Sequence, residues 1–368
     1  MQLSLPQAQL LQSLNIINRT ISSRSVLPIL TGVLLEARDG ALRLVGSDNE
    51  TWMELSVPAT VAAAGSLVVP ARYLMELVRR IPYGQVSLNA NATQRSLNVS
   101  WGRGKLAVHG FDAAEFPMIP QVVGEAELEI GRLDLLRMIR QTHFALSADA
   151  TRAAFTGTLV TRDDDRLTLV TTDGFRLALS ATRVALPAEQ ELGAIVPGRV
   201  LGDLAAIIDG EGPSIQVTMS KQLMSFRSGP LQVVTRLLEG HFPPYRQVIP
   251  RDFPTSIQTD RTALEQACDL ASAALRESGQ AMRLELSPER LLIQANAPER
   301  GDLEEEIPVQ FEGEPMKVAF NPRYFVEGVR AVETQEVRCR FTGPGSAACV
   351  YGKGQDNFLY VVLPVKVE

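Results

Sequence analysis

Val196-Pro197-Gly198-Arg199-Val200-Leu201-Gly202-Asp203-Leu204 is one of three related stretches in a chain of 368 residues. The first is Val69-Pro70-Ala71-Arg72-Tyr73-Leu74-Met75-Glu76-Leu77. The third is Phe320-Asn321-Pro322-Arg323-Tyr324-Phe325-Val326-Glu327-Gly328. Arg72 and Arg199 lie 127 residues apart, and Arg199 and Arg323 lie 124 apart. Each stretch places a proline near a helix start, where its missing N–H costs nothing. Each then sets an arginine and an acid four residues apart on one helix face, predicting the pairs Arg72–Glu76, Arg199–Asp203 and Arg323–Glu327. A period of this size marks repeated whole domains, not solenoid units of about 20–50 residues.

The repetition extends outward. Upstream of the stretches lie three apolar stripes at helical spacing. They are Leu10, Leu14, Ile17 and Ile21; Leu133, Leu136, Ile139 and Phe144; and Leu264, Ala267, Ala271 and Leu275. Each is followed by a hairpin pattern. Turns are expected at Asp39-Gly40, Asp163-Asp164-Asp165 and Ser287-Pro288. Gly32 and Gly157 stand 125 residues apart, as do Asp48 and Asp173. Further strands follow each stretch, as at Gln85–Leu88, Ser214–Thr218 and Glu336–Phe341. Proline-rich joints stand at Phe116–Pro120 and Ile249–Pro254. The expected fold is α+β: three repeated domains, each a sheet layer with two helices, over residues 1–121, 126–250 and 254–368. Repetition also lets edge strands pair across domain junctions.

Composition sets the class. Apolar content of 45% with 21% charge is that of a soluble globular chain. No apolar run reaches membrane-spanning length, and Met1-Gln2-Leu3-Ser4 lacks a basic signal-peptide start. Cys268, Cys339 and Cys349 form no C-x-x-C pair and read as reduced thiols of a cytosolic protein. Catalysis finds no foothold. His109, His143 and His241 are isolated from one another, and no phosphate-binding glycine motif occurs. Gly102-Arg103-Gly104-Lys105 reads as a hairpin turn, and Asp163-Asp164-Asp165 as a solvated hairpin tip. Asp173 shares a turn position with Asp48, which suits local hydrogen bonding. No nucleophile, base and oxyanion site assembles, so neither metal nor cofactor is expected.

Leu27-Pro28-Ile29-Leu30, Thr172-Asp173-Gly174-Phe175-Arg176-Leu177, Phe242-Pro243-Pro244-Tyr245-Arg246 and the tail Tyr360-Val361-Val362-Leu363-Pro364-Val365 complete the pattern. With the triple repeat they span essentially the whole chain, which resembles the bacterial DNA sliding clamp, the beta subunit of DNA polymerase III. The resemblance implies a head-to-tail homodimer, a six-domain ring around double-stranded DNA. It implies a non-catalytic processivity factor in the cytoplasm, associated with the nucleoid. The implied partners are the DNA polymerase III catalytic subunit, the clamp loader, and other polymerases and repair proteins carrying short clamp-binding peptides. Geometry agrees. A domain of about 120 residues fills a sphere roughly 35 Å across. Three such spheres touching leave a hole of about 5 Å, whereas six in a hexagon leave about 35 Å. One chain cannot thread a duplex, whereas two can, through a heterologous contact that closes.

Three surfaces follow from the resemblance. The DNA-facing set is Arg24, Arg72, Arg79, Arg137, Arg140, Arg199, Arg276 and Arg323. All but Arg24 lie on predicted helices opposite the apolar stripes, and Arg137 and Arg140 are i,i+3 neighbours. Such a lining meets phosphates without reading bases, and it reconciles a net charge of −6 with a DNA partner. At Asp149 and Ala153-Ala154 the chain departs from the polar and aromatic residues of a familiar relative. The partner-peptide pocket comprises Phe155, Thr172, Gly174, Phe175, Arg176, Leu177, Pro243, Gln247, Val248, Tyr324, Val361, Val362, Leu363, Pro364 and Val365. Its composition suits a groove for a short apolar peptide. Phe175 and Gln247 replace His and Arg found in relatives, which changes the pocket's polarity. The dimer interface pairs Arg103, Lys105, Leu106 and Val108 with Leu275, Glu304, Glu305 and Glu306.

Two other readings compete on the sequence alone. One is a three-repeat scaffold that binds peptides without encircling DNA. The other is a hydrolase with an unusual site, which the missing catalytic constellation opposes.

Overall fold

The computed structural model describes residues 1–22, 26–82, 84–91, 93–124, 126–163, 165–185, 193–208, 212–276, 280–297 and 301–366. The chain divides into two compact units. The first holds Met1–Arg132 and Asp203–Leu237; the second holds Leu133–Ala185, Glu191–Gly202 and Leu238–Glu368. The middle repeat is thus shared between them.

In the first unit, one sheet has five strands in the order Thr60–Ala63, Gln2–Pro6, Gln85–Asn91, Ser96–Trp101, Gly104–His109. The other has eight, from Ala126–Gly131 at one edge to Gly65–Pro70 at the other. Within it Leu231–Arg236 of the middle repeat pairs antiparallel with Thr51–Pro58 of the first, with Val233 opposite Met53. A buried contact between the hydroxyls of Thr51 and Thr235 at 3.3 Å marks that seam. The helix Gln7–Ile17 buries Leu10, Leu14 and Ile17 as its spacing predicts; Ile21 is buried just past its end.

The second unit repeats the arrangement. A nine-stranded sheet runs from Gly193–Pro197 to Gln310–Gly313. Its seam pairs Arg176–Arg183 with Phe358–Val362, setting Leu177 opposite Val361. The four-stranded sheet has the order Gly301–Pro308, Arg290–Ala297, Met282–Ser287, Met316–Phe320. Strands of different repeats therefore pair in both large sheets, which removes free edges there.

The expected turns form where described. Asp39 and Gly40 both have positive φ (50° and 73°), the geometry of a tight two-residue hairpin loop. Gly102-Arg103 turns Ser96–Trp101 into Gly104–His109, with Trp101 opposite Gly104. Asp164 of the second hairpin lies outside the described residues.

The three founding stretches each become a strand end followed by a helix. Helices run over Ala71–Arg80, Gly198–Ile207 and Pro322–Arg330. Pro322 occupies the first turn, and the Asn321 side chain caps it by accepting the Tyr324 N–H at 3.3 Å. The third copy ends in Gly328 where the others carry Leu77 and Leu204. The fully buried ring of Tyr360 fills that place: a Cβ on Gly328 would lie 2.1 Å from its Cδ1.

One stripe is corrected. Leu133 is 70% exposed, and the helix Arg132–Thr142 buries Leu135, Leu136, Met138 and Ile139. Phe144 lies beyond the helix, in the short turn His143–Ala145.

Candidate functional site

Thr172-Asp173-Gly174-Phe175-Arg176 makes a tight reversal between two strands of the nine-stranded sheet. Asp173 accepts the N–H groups of Phe175 and Arg176 at 2.8 and 3.0 Å. Asp48 does the same for Glu50 and Thr51 at 3.1 and 2.8 Å, so the residues 125 apart do one job. The Thr172 hydroxyl donates to the Arg176 carbonyl at 2.6 Å, and Gly174 turns the corner with φ of 94°. The reversal leaves Phe175 59% exposed at a cavity mouth.

That cavity holds about 160 Å³. Phe155, Thr172, Gly174, Phe175, Arg176, Leu177, Pro243, Tyr245, Val248, Val361 and Leu363 line it. Val248 (56% exposed) and Leu363 (45%) join Phe175 at its rim. Leu363 is fixed there because its N–H donates to the Phe175 carbonyl at 2.9 Å. Exposed apolar residues gathered at a concave site suit an apolar ligand.

Arg176 is the charged member of this wall, yet it is buried. Its Nε donates to Asp173 at 3.0 Å, one Nη donates to Glu327, and the other donates to the Phe144 carbonyl at 2.6 Å. The Tyr324 ring covers it, 4.1 Å from guanidinium carbon to ring centroid. Burial opposes its charge, but Glu327, Tyr360 and Asp173 outweigh that and raise its pKa above the ordinary value. Arg176 thus holds the wall together rather than offering a free charge to a ligand.

Five residues assigned to the pocket stand elsewhere. Tyr324 stacks behind Arg176. Val362 is fully buried in the core, because alternate residues of a strand point to opposite faces. Gln247 is exposed next to the rim residue Val248 but is not part of the wall. Pro364 and Val365 line a separate cavity. Tyr245 is the wall residue the sequence reading missed; it lies in the single helical turn Tyr245–Val248 and is 6% exposed.

The arginines divide. Arg72, Arg79, Arg140, Arg199, Arg276 and Arg323 are exposed. Arg137 is not: its side chain is 14% exposed and bonds Asp134, Gln141, Ser180 and the Ala181 carbonyl. These acceptors turn it onto the sheet, so it leaves the DNA-facing set. Arg24 lies outside the described residues. One expected ion pair is replaced: Glu76 pairs with Arg80 at 3.1 Å. Asp203 pairs with Arg19 at 3.2 Å. Arg323–Glu327 forms as expected, at 2.9 Å. In the Asp149–Ala154 loop, Arg152 bonds Asp149 at 3.3 Å and covers the Phe155 ring at 4.9 Å.

The strands expected at the dimer contact are the outermost of their sheets. Gly104–His109 ends the five-stranded sheet, and Gly301–Pro308 ends the four-stranded one. Arg103, Lys105, Glu304 and Glu306 are exposed, and Leu106 and Glu305 are half-buried. Val108 (1% exposed) and Leu275 (4%) are buried within their own units and leave the interface set. Among the described residues, no group of three or more His, Cys, Asp or Glu is placed to hold a metal ion. No helix among them is long and apolar enough to cross a membrane.

Three family models match in order along the chain. They are the N-terminal domain of the DNA polymerase III beta subunit over residues 1–120, its central domain over 129–244 and its C-terminal domain over 246–366.

The chain belongs to the DNA polymerase III beta subunit family.

Relatives agree over the full length. The beta sliding clamp of Staphylococcus aureus (strain Mu50) is 28% identical, covering 100% of this chain and 99% of its own. The crystal structure of the DNA polymerase sliding clamp from Bacillus subtilis superposes with a TM-score of 0.95 at 29% identity, covering both chains completely. A DnaN sliding clamp from Pseudomonas aeruginosa, solved bound to griselimycin, gives 0.95 at 28% identity with the same coverage. The beta subunit fold of three clamp domains thus accounts for the whole chain.

Proposed function

We propose that two copies of this chain close head to tail into a six-domain ring that encircles duplex DNA. The chain is a DNA sliding clamp for DNA polymerase III, a processivity factor and not an enzyme. The observation that carries this is the ordered match of all three beta subunit domains, with a fold that covers the relatives from end to end.

Closure is supported by the two outer strands. An outermost strand presents unpaired N–H and C=O groups that another chain can pair. Gly104–His109 carries Lys105, with Arg103 in the preceding turn, and Gly301–Pro308 carries Glu304 and Glu306. Joining one to the other across two copies combines main-chain pairing with opposite charges. The domain limits we assign are 1–121, 126–250 and 254–368.

We assign Arg72, Arg79, Arg140, Arg199, Arg276 and Arg323 to the ring lining, where exposed guanidinium groups meet phosphates weakly and without sequence preference. Retention then comes from topology, which leaves the ring free to slide. The 160 Å³ cavity rimmed by Phe175, Val248 and Leu363 takes the short apolar peptide of the polymerase catalytic subunit, the clamp loader and other polymerases or repair proteins. We place the protein in the cytoplasm, on the nucleoid.

The product length made by DNA polymerase III on a primed circle tests this reading. Adding the protein with a clamp loader and ATP is expected to lengthen products per binding event. Unchanged length distributions contradict it.

A further inference from the structure

The C-terminal tail passes two cavities in succession. Leu363 lines the apolar one already described. Pro364, Val365 and Lys366 line another, of about 690 Å³. One wall of it is Met316–Phe320, the outermost strand of the four-stranded sheet, which pairs with Met282–Ser287 on one side. In an antiparallel pair, residues alternate between bonding the neighbour and turning N–H and C=O away from it. The Val365 N–H donates to the Ala319 carbonyl at 2.8 Å, so Ala319 is a residue of the second kind. Lys317, two residues earlier, has the same orientation. The tail covers the edge at Ala319; among the described residues it makes no main-chain bond to Lys317.

The rim of this cavity is cationic. Arg283 and Lys366 are exposed. Lys317 is 78% exposed and pairs with Glu285 at 2.9 Å. Among the described residues, three positive groups stand here against one negative, on a chain whose net charge is −6. The site therefore runs against the charge of the molecule, while the neighbouring pocket is apolar.

We propose that the larger cavity seats an acidic flank of the same partner peptide whose apolar part fills the pocket at Leu363. This rests on the reading of that pocket as the partner-peptide site. The flank lies extended along Met316–Phe320, pairs with the backbone groups of Lys317, and brings carboxylates to Arg283 and Lys366. From Leu363 to Lys366 an extended chain covers about 10 Å, so a flank of three or four residues reaches. The apolar pocket anchors any clamp-binding peptide, and the cationic cavity ranks partners by the charge beside that anchor.

The test is fluorescence anisotropy with the full chain. Short overlapping peptides spanning the DNA polymerase III catalytic subunit locate the binding segment. That segment is then remade with three Asp, or three Lys, added at either end. At low salt, Asp at one end is expected to tighten binding by about tenfold over Lys, an advantage that shrinks as salt rises. The Arg283→Glu, Lys366→Glu double variant is expected to abolish that advantage while binding the unextended segment as before. Val248→Asp is expected to abolish binding of all of them. Equal affinity for Asp- and Lys-extended peptides overturns the proposal, as does an advantage that survives in the double variant. Either result with Val248→Asp still inactive leaves the apolar pocket standing. If no segment binds the unaltered chain, the pocket reading fails and the flank proposal falls with it.

Discussion

Arg176 and Glu327 form a shielded ion pair, with side chains 5% and 19% exposed. The other oxygen of Glu327 accepts from Nε of the exposed Arg323 at 2.9 Å. One carboxylate therefore joins the wall of the apolar pocket to an arginine on the outside of the helix Pro322–Arg330. Removing one partner of a buried pair costs more than the pair contributes, because a desolvated charge is left behind. Glu327→Ala is expected to destabilise the second unit by about 3 kcal/mol, read as a lower urea midpoint. Glu327→Gln, which keeps an acceptor, is expected to lose less. Equal midpoints for all three proteins would show that Asp173 and the Phe144 carbonyl suffice for Arg176.

The pocket rim separates binding from folding. Val248 and Leu363 are 56% and 45% exposed, so Val248→Asp and Leu363→Asp are expected to leave the thermal midpoint within about 2 °C. Each is expected to weaken binding of the polymerase catalytic subunit by at least about thirtyfold, the effect of losing an interface anchor of roughly 2 kcal/mol. Removing residues 363–368 is expected to act like these variants, whereas cutting further into Phe358–Val362 removes the buried Tyr360 and Val362 and unfolds the seam. Titration calorimetry beside thermal melting checks both halves. A rim variant that binds normally contradicts the assignment.

The outer strands predict a charge-reversal pair. Arg103→Glu with Lys105→Glu is expected to raise the dimer dissociation constant at least about tenfold in sedimentation equilibrium. Adding Glu304→Lys and Glu306→Lys is expected to restore part of the affinity. An unchanged dissociation constant in the first variant places the contact elsewhere. Val108→Ala belongs to a different class: its side chain is buried, so it is expected to lower stability instead.

The thiols give a pH prediction. Burial pushes Cys339 and Cys349 up to about 12, and pushes Cys268 well above its ordinary value. The fold holds them protonated, so native protein at pH 8 is expected to react with iodoacetamide far more slowly than urea-unfolded protein. The sign for stability follows from linkage. The folded state favours the protonated thiol, so this contribution is full below the unfolded value near 9 and is lost as pH rises toward 12. Fast native alkylation would show that the thiols are reached by local opening.

The residues show what pattern alone can and cannot tell. Prolines 70, 197 and 322 announce three helix starts, because proline acts through its own backbone. Side-chain partners depend on what the fold brings near. Arg72–Glu76 and Glu76–Arg80 have equal spacing, but acid before base suits the helix better, and Arg80 takes the carboxylate. Arg323–Glu327 has the weaker order and still forms, with Arg176 holding Glu327 from the sheet. Arg137 shares a helix face with Arg140 in sequence, yet Ser180 and the Ala181 carbonyl draw it inward. Their positions come from a strand some forty residues away. Tyr245 stands in a proline-rich segment, and its burial comes from tertiary packing with Val170, Leu177, Cys349 and Val361, which no local pattern announces. The apolar tail looks like one surface in sequence, but alternation along a strand divides it: Val361 and Leu363 line the pocket and Val362 enters the core.

The central claim is that this protein holds DNA by encircling it, and retention on a closed circle tests it most directly. Labelled protein is loaded onto a nicked circular plasmid by a clamp loader with ATP and separated by gel filtration, and the plasmid is then cut once. The account predicts that protein stays with the circle through a high-salt wash and leaves when the circle is linearised. Equal loss from circle and linear DNA, or retention that survives the cut, would contradict it.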